Sequence, residues 1–340
     1  MTMTMASPTE ETCARLLWLA CLLAVMGAAA APAQTASEIV LHNFGLPPLN
    51  GAHPQGSLIA DPAGNLYGTA SAGGTWGAGV VYKLDTVGQQ TVLYAFRGTA
   101  DGGAPSAGVI RDAAGNLYGT ALVGGTASSG VVYKLDPAGR QTVLYSFTGG
   151  ADGGPPYAGV IHDSAGNLYG TTYAGGAANA GVVFKLDAAG REVVLYAFTG
   201  GADGGNPMAG VVAGPANTLY GTTSRGGTAG LGAVYKLVAP GQEIVLYSFT
   251  GGTDEGEPNA VILDPAGNLY RTTYGSSTSW GTVYRLDTAG NYTGLYRFTG
   301  GDDGGHPDAG VIRDPAGNLY GTTYDGGNRG GGVVFQVAPQ

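Results

Sequence analysis

The feature that most constrains this chain is a tyrosine that returns at a fixed interval. The pentapeptide N-L-Y-G-T, or a near copy of it, places its tyrosine at Tyr67, Tyr118, Tyr169, Tyr220, Tyr270 and Tyr320, spaced 51, 51, 51, 50 and 50 residues apart. Self-similarity at such a period means that one small structural unit is stacked on copies of itself, because no single copy can bury its own apolar face. One unit runs AGVIRD (107–112), AAGNLYGTA (113–121), a Gly-rich loop, GVVYKLD (130–136), PAGRQ, and TVLYSFTGG (142–150).

Each unit holds four strand candidates. Val131, Tyr133 and Leu135 alternate with Val132, Lys134 and Asp136, the period of two expected of a strand. In the fourth segment the same alternation predicts Val143, Tyr145 and Phe147 on one face. Between the first two segments, Asp-Pro-Ala-Gly-Asn recurs at 61–65, 264–268 and 314–318. Its Asp bonds its own turn, its Pro presets φ and its Gly accepts positive φ, which together spell a tight hairpin. A second Asp-x-x-Gly turn follows the third segment at 85–88, 136–139, 187–190 and 287–290. Helix is disfavoured throughout, since the chain carries 64 Gly and 18 Pro in 340 residues. Disorder is disfavoured too, because 44% of the residues are hydrophobic and recur in register.

Four antiparallel strands per unit, six times over, predict an all-β six-bladed β-propeller, with a β-solenoid as the runner-up. The strand phase predicts how the ring closes. The first element, EIVLHNF (38–44), matches a fourth strand, and the last, GGVVFQV (331–337), matches a third. The N-terminal strand is therefore expected to complete the last blade. Small pairs such as Ala107-Gly108 and Ala158-Gly159 open each unit, as suits the crowded strand nearest the axis.

The N-terminus differs in character. Arg15 precedes the apolar run LLWLACLLAVMG (16–27), and Ala31-Pro32-Ala33 fits a small-residue cleavage site, so residues 1–33 read as a signal peptide and 34–340 as one propeller domain. The run is shorter than a membrane-spanning helix needs. Both cysteines, Cys13 and Cys21, fall within residues 1–33, so the exported chain is expected to hold together without disulfides. A secreted or periplasmic monomer is expected. The chain has 15 basic and 24 acidic residues; without Arg15, Glu10 and Glu11 it keeps 14 and 22, a net charge of −8. Such a surface repels a phosphate backbone, which argues against nucleic acid.

The repeats GNLYGTTYxGG, GVVYKLD and LYSFTGGxDGGxPxAGVI resemble those of the GloVer tandem-repeat family of exported bacterial proteins and, more distantly, NHL-type propellers. The likeness implies export and a repeat scaffold; it brings no catalytic residues with it. Motifs of catalysis are absent as well: the sequence has no HExxH, no GxSxG, no Walker loop and no cysteine ligand set, so no cofactor and no metal site are expected. His42, His53, His162 and His306 stand in unlike contexts of their repeats. The DGGxP loops, with Asp101, Asp152, Asp203 and Asp303, offer one carboxylate each, which suits a turn cap better than calcium with its six to eight oxygens.

Where the copies differ is where a specific function would reside. The two tight turns recur nearly unchanged on one face of a propeller. On the opposite rim the loops vary, carrying the aromatics Trp76, Tyr157, Tyr173, Trp280 and Tyr324. Beside them stand the hydrogen-bonding groups of His53, Arg225, Glu257, His306, Asp308 and Arg329. Variable loops on a rigid scaffold are the usual seat of binding. The expectation is a secreted, non-catalytic binding or structural scaffold that contacts a glycan or a protein. The alternative is a propeller enzyme such as a lactonase or polysaccharide lyase.

Overall fold

The computed structural model describes residues 41–340 except 43, 45–48, 239–240, 257, 276–278, 308, 329 and 339–340. The expected signal peptide and most of the expected closing strand therefore lie outside the described residues. Six antiparallel sheets follow one another, with strands in sequence order within each. The first five have four strands and the sixth has three: Ile312–Arg313, Leu319–Thr322 and Val334–Val337. This is the six-bladed β-propeller that the repeat predicts. The only helical turn among the described residues is a short 3-10 segment, Pro215–Asn217, and no described helix is long and apolar enough to cross a membrane.

Blade 2 shows how a unit folds. Its strands are Ile110–Arg111, Leu117–Ala121, Val131–Leu135 and Gln141–Ser146. In the first turn the Asp112 carboxylate accepts from the Asn116 amide, the Asn116 side chain and the Tyr118 hydroxyl. Gly115 takes a φ of 86° there, which a side chain would resist. The Asp136 carboxylate organises the second turn in the same way, accepting from the amides of Ala138 and Arg140.

Blades stack face to face, so both faces of a third strand are buried. Val131, Tyr133 and Leu135 pack back against Val81 and Phe96 of blade 1. Val132 packs forward with Phe147 against Leu168, Val182 and Phe184 of blade 3. The fourth strand departs from simple alternation. Val132 pairs with Tyr145 but Tyr133 pairs with Val143, which leaves Leu144 as an extra residue in a β-bulge. Val143 consequently faces blade 1, while Leu144, Tyr145 and Phe147 face blade 3. The expectation that Val143, Tyr145 and Phe147 share a face is thus corrected, and the bulge is the reason.

Toward the axis, the first strands meet through their small residues. A Cβ on Gly108 would lie 2.3 Å from the Ser57 carbonyl oxygen, and one on Gly159 would lie 3.1 Å from that of Gly108. Only glycine allows this approach, which accounts for the small pairs of the sequence.

The junction of the ring has a distinct look. Leu41, His42 and Phe44 hold fourth-strand places against blade 1. Phe44 meets Tyr82 edge-on at 5.1 Å, as Phe96 meets Tyr133 at 5.1 Å. His42 bonds Asn50 where Tyr94 bonds Asp101. On the other side, the described residues leave the flank of the last strand uncovered. Val334 is 80% exposed, whereas its counterparts Val81, Val132, Val183, Val234 and Val283 are fully buried.

Candidate functional site

In five of the six blades the connection entering the first strand is bridged to the loop between strands two and three; in blade 5 it is bridged to Thr273 at the end of the second strand. Gly103 pairs with Val123, Gly154 with Ala174, Gly205 with Arg225 and Gly305 with Asp325. The two variable loop sets therefore form one rim, as the sequence implies. Within it the residue preceding proline is held at positive φ: 57° at His53, 51° at Ala104, 54° at Asn206 and 51° at His306. The carbonyl of that residue accepts a hydrogen bond from the facing loop, from Ser71, Leu122, Ser224 and Tyr324 respectively. In these four blades a fixed backbone thus presents one interchangeable side chain, the arrangement a binding rim needs; in blade 3 Pro155 takes the place.

The rim is richest where blades 5 and 6 meet. The His306 ring stacks on Tyr274, with centroids 4.8 Å apart and 26° between planes, and lies 4.9 Å from the Trp280 ring. Its Nδ1 is 2.8 Å from the Asp325 Oδ2. With the proton on Nδ1, the imidazole donates to that carboxylate and Nε2 keeps its lone pair. The backbone fastens the group as well, since the His306 amide donates to the Trp280 carbonyl at 2.7 Å. Trp280 covers Gly300 and Gly305, where any Cβ would strike the indole within 3 Å. It remains 40% exposed, and the adjoining Tyr324 is 68% exposed.

The other sequence-derived residues fall into smaller groups. Tyr157 and Tyr173 pack together on blade 3, their centroids 5.2 Å apart. Trp76 on blade 1 stacks under the Arg97 guanidinium at 5.6 Å. His53 and Arg225 are exposed on the rim. Glu257, Asp308 and Arg329 lie outside the described residues. Among the described residues the structure therefore joins His306 with Trp280, with Tyr324 beside them, joins Tyr157 with Tyr173, and places His53, Trp76 and Arg225 on other blades. It adds Tyr274, Asp325 and Arg97, which the sequence reading missed. Asp325 had a signal, for its equivalents are Ala72, Val123, Ala174, Arg225 and Gly275, so it is the sole carboxylate at that place.

The DGGxP aspartates are engaged inside their own repeats. Asp152 accepts from the Tyr145 hydroxyl and the Thr148 amide, and Asp203 does the same with Tyr196 and Thr199. This is the work of a turn cap.

Solved structures that share the fold include several propeller enzymes. The chain superposes on a gluconolactonase from Xanthomonas campestris with a TM-score of 0.52 and 15% identity, over 86% of this chain and 88% of that one. A Thermus thermophilus protein, described as a putative oxidoreductase of the glucose dehydrogenase kind, gives 0.53 and 16% over 84% and 97%. A puromycin hydrolase gives 0.54 and 12% over 85% and 46%. At such identities the likeness shows the fold alone. No curated protein matches in sequence. The Gloeobacter/Verrucomicrobia repeat model matches residues 30–235 and 211–340, which together span the repeats described above. The chain belongs to the Gloeobacter/Verrucomicrobia repeat family.

Proposed function

We propose that the protein is an exported, non-catalytic binding scaffold that receives a carbohydrate on its loop rim, chiefly at the cluster between blades 5 and 6. The observation that carries this reading is the placement of exposed aromatic surface. Trp76, Tyr157, Trp280 and Tyr324 are 61%, 38%, 40% and 68% exposed, and all four stand on the rim. A flat aromatic face suits the C–H face of a sugar ring, and the His306–Asp325 pair beside Trp280 supplies donor and acceptor groups for its hydroxyls. Export is supported by the sequence of residues 1–33.

A glycan array run with the exported chain identifies the ligand, and titration of Trp280→Ala tests the site. The variant should fold normally and lose about fivefold to tenfold in affinity, while Val87→Ala, on an exposed turn of the opposite face, changes nothing. Unchanged affinity in Trp280→Ala would sink the assignment; a protein ligand emerging in place of a glycan would overturn the carbohydrate part of it.

One observation favours a second reading. A carboxylate-held histidine is also the arrangement of a general base, and His306 with Asp325 at 2.8 Å has it. Turnover of a lactone or glycan that disappears in His306→Gln, with binding retained, would establish the enzyme instead.

A further inference from the structure

Five seams between blades are built alike. A threonine of the second strand donates to the carbonyl that opens the next blade: Thr69 to Ala107 at 2.8 Å, and the same tie recurs at the next four blades, ending with Thr272 to Ala309 at 2.7 Å. The amide of the residue before proline donates back to the preceding blade, from Asn206 to the Ala180 carbonyl at 2.6 Å and from His306 to that of Trp280 at 2.7 Å. Apolar residues seal the same seams. Ile59 and Val81 of blade 1 pack forward against Val109 of blade 2, and Ile262 and Val283 of blade 5 do so against Val311 of blade 6.

The sixth seam, from blade 6 to blade 1, has the same groups and leaves them bare. Thr322, the counterpart of Thr69, is exposed. Ile312, the counterpart of Ile59, is 72% exposed, and Val334 lies open as well. On blade 1, Leu58 stands where Val109 and Val311 are buried, and it is 48% exposed.

We propose that blade 1 of the same chain closes on this face of blade 6. The sixth seam repeats the donors, acceptors and apolar residues of the other five in the same order, so the step that sets each blade on the last also sets blade 1 on blade 6. Phe44 marks the occupant. It sits against Tyr82 of blade 1 as Phe96, supplied by the preceding blade, sits against Tyr133 of blade 2. In the closed ring Thr322 donates to the Gly56 carbonyl, Ile312 and Val334 cover Leu58, and the His53 amide donates to the Gly331 carbonyl. His53 and His306 are the two histidines that precede proline, and both are held at positive φ, 57° and 51°. Closure lays the His53 ring over Tyr324 as His306 lies over Tyr274. The half-buried Tyr274 shows that a tyrosine covered in this way keeps part of its ring on the rim. Closure is independent of what the rim binds.

Paired cysteines read the seam directly. At the seams between blades 2 and 3 and between blades 3 and 4, a Cβ on Gly159 would lie 3.7 Å from that of Ala107 and one on Gly210 would lie 3.6 Å from that of Ala158, a separation that a disulfide spans. Ala309 and Ser57 are the same pair at the sixth seam. In the full exported chain, Ser57→Cys with Ala309→Cys should oxidise to a disulfide within the monomer, to the same extent as the control Ala158→Cys with Gly210→Cys, read by non-reducing electrophoresis and mass. Free thiols at 57 and 309 where the control pair has closed overturn the proposal, and so do disulfide-linked dimers, which would give the face to a second copy. Without any substitution, the His53 amide should exchange roughly as slowly as that of His306 in hydrogen exchange followed by NMR; exchange at the rate of an open loop overturns it as well.

Discussion

Two aspartates per repeat are tied to tyrosine hydroxyls, and this pair of contacts is the residue-scale logic of the fold. In blade 3 the Asp163 carboxylate accepts from the Tyr169 hydroxyl at 3.0 Å and from the Asn167 side chain at 2.7 Å, so turn and strand are fixed by one group. Blade 4 shows the turn without it. Gly214 replaces the aspartate and Asn217 replaces the turn glycine; Asn217 keeps the positive φ of that place at 59°, and Ala216, unlike its counterparts, is at positive φ too, 54°. Asp163→Ala should cost about 2 kcal/mol, read by denaturant unfolding. Protonation has the same effect as truncation. At Asp61 the Asn65 side chain, working against burial and joined by the Asn65 amide and the Tyr67 hydroxyl, holds the carboxyl down to about 2. A carboxyl lowered in this way stabilises the fold fully above its unfolded value near 3.9 and loses that contribution as pH falls toward 2. Acid unfolding should therefore set in below about pH 4. The turn aspartates were legible because each acts within seven residues of sequence; the contact of Asp325 with His306 was not, because it exists only once two loops have met across the rim.

At the scale of the blade, the start of the fourth strand reaches back to the preceding blade. Gln90 donates to the Asn50 carbonyl at 2.8 Å and Gln141 to the Asp101 carbonyl at 2.9 Å. Glu192 and Glu243 hold the same place in blades 3 and 4, where an ionised carboxylate has nothing to donate, and each leaves Oε1 buried and unpartnered. Burial, then the neighbouring Asp152 or Asp203, pushes these two carboxyls up to about 7. For an acid raised in this way the sign is opposite to that of the turn aspartates. Its stabilisation is present below the unfolded value near 4.3 and is lost as pH climbs to about 7. Glu192→Gln and Glu243→Gln should therefore raise stability at pH 8 by about 1 kcal/mol each, allowing for solvent screening, and leave it nearly unchanged at pH 4. Thermal melts at the two pH values check this. The bulge at Leu144 was hidden from the sequence for a different reason: an alternating apolar pattern reads the same until the pairing shows one residue too many.

At the scale of the molecule, six sheets packed on a common axis fix the rim as a rigid frame, so what varies between copies is displayed without cost to the scaffold. The number of blades and the side on which the variable loops gather followed from repeat spacing and turn chemistry, both of which are periodic. The identity of the site did not follow, because Tyr274, Trp280, His306 and Asp325 come from two repeats and from loops that no period governs. Hydrogen exchange of the full exported chain, with and without its array-identified glycan, tests the rim directly. Protection should be confined to the rim loops at 273–282 and 303–327, with the turns at 85–88, 136–139, 187–190 and 287–290 unaffected. Protection centred on those turns would place the ligand on the opposite face and overturn the rim as the binding site.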